Sequence, residues 1–202
     1  MRGEDNHVAG PVTIGLLLFT CVVCPLFTPA SASAEQRASQ ETISDQLRMA
    51  IQERYPQAKV VEVDDLNKDE CEIPKSPPGF VEADFNGDGL TDYGVLLKAS
   101  LKEEKEWQGK KLKVMEIKFV VFLKEKSGSL RSIIIDSSDQ VHPLLVFIQL
   151  QPPGVIREIP TLGDRVFQLK NPGILRYFCG KSSAVFYWDR KAKGFQEIGT
   201  GD

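Results

Sequence analysis

Apolar residues recur along this chain at two periods, one helical and one of strands. Ile43, Leu47, Ala50, Ile51 and Tyr55 fall at i, i+4, i+7, i+8 and i+12. That spacing lines one face of an α-helix, and Pro56 closes it. Such a helix belongs on the protein's own sheet more often than on a partner. From residue 59 the period drops to two. Residues 112–124 are the longest strand candidate, with Val114, Glu116 and Lys118 on one side and Met115, Ile117, Phe119 and Val121 on the other. This is the alternation of a half-buried antiparallel strand. Shorter β-like runs stand at 59–63, 79–83, 93–97, 130–135, 144–151, 173–179, 184–188 and 195–198, separated by Ser-Gly, Pro-Pro-Gly, Asn-Pro-Gly and Asp-Arg-Lys turns. The pattern predicts an α+β domain, an N-terminal amphipathic helix packed on a meandering antiparallel β-sheet.

Two polar stretches interrupt the pattern. Residues 64–78 hold Cys71, three prolines and the acidic residues Asp64, Asp65, Asp69, Glu70 and Glu72, and are expected to form a solvated irregular connection. Residues 98–113 mix both signs of charge, and read as a solvent-facing connection that turns the chain. Trp107 inside it is a weak marker of a contact surface. In the tail, Phe186 and Trp188 share one strand face and Tyr187 takes the other. Hairpin and core packing accounts for them more readily than a glycan platform does.

The chemistry concentrates in Asp84-Phe85-Asn86-Gly87-Asp88-Gly89-Leu90-Thr91-Asp92-Tyr93. Oxygen-bearing side chains at Asp84, Asn86, Asp88 and Asp92 alternate with glycines that permit sharp turning. Ca²⁺ takes about six to eight oxygen ligands, so such a loop can wrap the ion. The alternative is a tight Asx/Gly turn without an ion. The start matches the EF-hand loop, but its twelfth position is Val95 where a Glu is required, and the flanks are β-like. The segment resembles instead the strand-flanked calcium loops of FG-GAP and VCBS-type repeats, which read D-F-N-G-D-G-x-x-D-[YL]. The resemblance covers about a dozen residues and implies Ca²⁺ ligation by Asp84, Asn86, Asp88, Asp92 and the Leu90 carbonyl. No second copy of the loop is present, which argues against a propeller.

Residues 1–34 read as a secretory signal peptide. An apolar run at 14–27 precedes Ala32-Ser33-Ala34, although Glu4 and Asp5 offset Arg2 at the start. An uncleaved anchor is the alternative. Export would leave one domain, 35–202, in the periplasm or outside the cell, with no membrane span in the mature chain. The whole chain carries 25 Lys+Arg against 28 Asp+Glu, and losing Arg2, Glu4 and Asp5 keeps it near neutral. No electrostatic case for nucleic acid arises. Cys71 and Cys179 then remain, and an oxidising compartment favours a disulfide over two free thiols.

His142 is the only histidine after residue 34, which argues against a zinc site. Nucleophile-elbow, Walker and dinucleotide motifs are missing from the sequence. Two readings survive. One is an exported non-enzymatic domain with a single structural Ca²⁺ loop, a binding module for a protein or envelope polymer. The other is a hydrolase or hydrolase inhibitor acting on envelope or extracellular polymers, since two carboxylates at the right separation suffice for a glycosidase.

Overall fold

A computed structural model describes residues 43–201. The expected leader lies outside the described residues. Helix α1 (Asp45–Arg54) starts where the Ser44 hydroxyl accepts the Leu47 N–H at 3.3 Å, with Asp45 in its first turn and Arg54 in its last. Strands β1 (Lys59–Val60), β2 (Phe80–Ala83), β3 (Asp92–Trp107), β4 (Lys110–Lys124) and β5 (Leu130–His142) form an antiparallel sheet. Its order is β1-β3-β4-β5, with β2 also paired to β3. Strand β6 (Val146–Gln151) opens a second sheet. A separate two-stranded hairpin, β7 (Gly154–Arg157) and β8 (Val166–Leu169), follows. Strands β9 (Gly173–Phe178), β10 (Ser182–Asp189) and β11 (Gly194–Gly201) then complete the second sheet in the order β11-β10-β9-β6.

This corrects the expected α+β class with its helix packed on one meandering sheet. The described residues are mostly β, 55% strand against 10% helical, and the one α-helix is short. The strands divide among three sheets. Most of the difference lies in residues 98–113, which were expected to be a connection. They are the ends of β3 and β4, joined at Gln108-Gly109. Both turn residues have positive φ, 50° and 74°, as a two-residue hairpin with the twist of its strands requires. Glu104 faces Lys113 and Glu106 faces Lys111, so opposite charges across the pair do what apolar alternation does elsewhere.

Burial follows the layers. Val81, Phe85, Leu96, Phe119 and Val121 meet Phe147, Ile148, Ile174 and Phe186 of the second sheet in the largest apolar cluster. On the other face of β3 and β4, Val95, Leu97, Val120 and Phe122 cluster with Phe80, Tyr93, Leu47 and Ile51. Residues 119–123 of β4 are therefore buried without a break, where half-burial was expected. A third cluster joins Ile156 and Leu169 of the hairpin to Val185 and Ile198 on the outer face of the second sheet. Cys71 and Cys179 form a disulfide with Cα atoms 5.1 Å apart, closing a sequence separation of 108 residues. A loop of that length is stabilised by about 4–5 kcal/mol in the chain-entropy account. Among the described residues no helix is long and apolar enough to cross a membrane.

Candidate calcium loop

Residues 84–91 connect β2 to β3, whose last register pair is Ala83 with Asp92. Asp84 gathers the turn. Its Oδ1 accepts the N–H groups of Gly87 at 2.7 Å and Asp88 at 3.1 Å, and its Oδ2 accepts that of Gly89 at 2.8 Å. Asn86 Oδ1 accepts the Asp88 N–H and Asn86 Nδ2 donates to Asp88 Oδ2, both at 2.9 Å. Asp88 Oδ1 accepts the Leu90 N–H at 2.8 Å. Gly87 and Gly89 hold φ of 74° and 86°, the left-handed region a Cβ disfavours.

Asp92 lies at the base of the loop, and it is fully buried. Its Oδ2 accepts the Phe85 N–H at 3.1 Å and its Oδ1 accepts the Lys124 N–H at 2.9 Å, tying the loop's start to the end of β4. Burial pushes its carboxyl up to about 6, against the pull of N–H groups from Lys124, Phe85 and Asn86. Asp84, Asn86 and Asp88 are thus brought together directly, and Leu90 joins them through its N–H. Among the described residues no group of three or more His, Cys, Asp or Glu side chains stands ready to hold a metal. The donor chemistry nevertheless suits a hard cation. Asp84, Asn86, Asp88 and Asp92 all offer oxygen, and a carboxylate with about four lone-pair sites keeps acceptor capacity after two or three N–H contacts.

Three residues act on the loop that the motif does not reveal. Lys124 contributes its backbone N–H to Asp92. Asn171 Nδ2 donates to the Phe85 carbonyl at 3.2 Å, and Arg190 Nη2 donates to the Gly87 carbonyl at 3.4 Å. The Asn-Pro-Gly and Asp-Arg-Lys turns announce that the chain reverses there, but not what lies beside them. Phe85 is fully buried, and its ring meets Phe195 edge-on at 6.4 Å. The aromatics of β10 are engaged in packing: Phe186 against Phe119 at 5.2 Å, Trp188 against Phe195 at 5.4 Å, and Tyr187 against Phe167 at 6.2 Å.

Comparison with protein-family models, curated proteins and solved structures finds no match for this chain.

Proposed function

We propose that this is an exported, non-enzymatic binding module in which the loop 84–92 takes up one structural Ca²⁺. Asp84, Asn86, Asp88, Asp92 and the Leu90 carbonyl are its ligands, as in the FG-GAP and VCBS-type loops it resembles. The observation that carries the reading is Asp92, a fully buried carboxylate with only backbone N–H partners, at the base of a turn rich in carboxylate oxygen. The ion would neutralise that charge and hold the turn in one arrangement. The partner would be a protein or an envelope polymer, met in the periplasm or outside the cell. The leader-like start and the Cys71–Cys179 bridge support export.

Asp65, Glu116 and Glu158, three carboxylates of low exposure outside the loop, are each matched to a cation, which favours a binding role over hydrolysis. Asp65 lies 2.5 Å from Lys98 and Glu158 lies 2.6 Å from Arg165. Glu116 lies 2.7 Å from Lys118 and is held down to about 2, chiefly by that hydrogen bond. A general acid needs the opposite shift.

Thermal unfolding in EDTA and then in Ca²⁺ tests the proposal. At ten to a hundred times Kd, binding adds about 1.4–2.7 kcal/mol, or roughly 3–10 °C in Tm for a chain of this size. The rise is expected with Ca²⁺, not with Mg²⁺, and is expected to vanish in Asp84→Ala. An unchanged Tm in folded protein would leave the loop a plain turn.

A further inference from the structure

Where β1, β3 and β4 run side by side, a groove of about 400 Å³ is lined by Lys59, Lys98, Lys113, Asp65 and His142. That is the lower range of ligand-binding clefts. Ala99, Leu101 and Met115 supply its apolar lining. Two β-bulges in β3, at Lys98/Ser100 and at Leu101/Glu103, shape it. A bulge sets two residues against one and re-aims side chains. Ala99, Ser100 and Leu101 thereby line the groove in succession, where a regular strand would send alternate residues to opposite faces.

The charges are arranged against the protein's overall balance of −3. Lys59 stands directly opposite Lys98, and Lys113 directly opposite His142. Lys59 and Lys98 are like charges facing across the sheet, which is destabilising. One carboxylate answers them. Asp65 Oδ1 lies 2.5 Å from Lys98 Nζ and 3.7 Å from His142 Nε2, while Asp65 Oδ2 accepts the Glu62 N–H at 2.8 Å. Glu104 is the register partner of Lys113. Among the described residues neither Lys59 nor Lys113 forms an ion pair. The groove thus presents the Lys59 ammonium without an ion pair, the Lys113 ammonium with Glu104 as its register partner, and that of Lys98 shared with Asp65, beside apolar lining in which Leu101 is 52% exposed.

We infer that this groove binds an organic anion, its phosphate or carboxylate held by Lys59, Lys98 and Lys113 and its aliphatic part lying along Leu101 and Met115. The inference rests on the reading of the protein as a binding module and not on calcium. The same ligand chemistry is offered by a soluble alkyl phosphate or carboxylate and by an anionic lipid.

Calorimetric titration of the intact protein with hexyl phosphate, hexanoate and inorganic phosphate tests it, with co-sedimentation on phosphatidylglycerol and phosphatidylcholine vesicles beside it. Hexyl phosphate is expected to bind more tightly than inorganic phosphate, and more weakly as salt rises. The Lys59→Gln/Lys113→Gln double variant, both positions exposed, is expected to keep its Tm and lose about tenfold in affinity, the worth of 1.4 kcal/mol. Sedimentation with phosphatidylglycerol alone, competed by hexyl phosphate, would identify the lipid source; titration without sedimentation would identify the soluble one. No binding of either alkyl anion by the parent protein, or equal affinity in the double variant, would overturn the inference. Calcium stabilisation without anion binding would remove the groove and leave the loop's reading standing.

Discussion

Strand β3 begins and ends in charge, and its two ends treat that charge in opposite ways. At Asp92 the carboxylate is fully buried and met by the N–H groups of Phe85 and Lys124. At residues 101–106 every side chain is exposed, and acidic and basic residues face each other across to β4. A buried charge held by fixed backbone donors cannot be removed cheaply, because the donors remain behind without partners. Solvated pairs lose little, since water replaces the missing partner. The same residue types therefore act as a structural pin at one end and as a tolerant surface at the other. Glu116 lies between these limits. It is about four-fifths buried and bonded to Lys118, Ser100 and Ser137.

The largest loss is expected at Asp92. Asp92→Ala strands two N–H groups at the loop base, and chemical denaturation is expected to show a loss of about 2–5 kcal/mol. A loss under 1 kcal/mol would mean that water reaches the loop base. Gly87→Ala comes next. Positive φ together with the crowding of Asn171 and Arg190 around that position predicts a loss of about 1–2 kcal/mol, read from the same transition. Full stability in that variant would show the turn free to rearrange.

Glu116 gives an intermediate, pH-dependent effect. Its folded carboxyl sits near 2 and its ordinary value is 4.5, so the folded state favours the ionised form. Its contribution is complete above about pH 4.5 and is lost as pH falls toward 2. Glu116→Gln is therefore expected to lower stability at neutral pH and to flatten the acid limb between those values. Parallel pH–stability curves for parent and variant would refute the assignment. The smallest effect belongs to the exposed hairpin. Glu106→Gln is expected to change stability by less than about 0.5 kcal/mol, and a larger change would show that its charge is less solvated than its exposure indicates.

Legibility in the sequence followed locality. The helix was readable because Ile43, Leu47, Ala50, Ile51 and Tyr55 carry its period and Pro56 closes it, whereas the Ser44 cap that starts it was not read. The loop was readable because Asp84, Asn86 and Asp88 bind the N–H groups of residues only two to five positions onward. The ends of β3 and β4 were not readable as strands, because neither face there is buried and no apolar alternation marks them. Gln108-Gly109 was the one local clue to the hairpin. The β7–β8 hairpin was missed as well. Ile156 and Leu169 are its buried residues, and what they pack against, Val185 and Ile198, lies far along the chain.

The sequence by itself determined the turn chemistry of residues 84–89, the helix, and the two cysteines available for a bridge. These depend on backbone preferences and on neighbours a few residues away. The tertiary structure alone decided that β4 is buried on both faces and that the strands divide among three sheets. It also decided that Asp92 is buried at the base of its loop, and that Lys59, Lys98 and Lys113 line one groove. Each depends on segments tens of residues apart being packed together, where desolvation and charge proximity come from the neighbours in space and not from those in sequence.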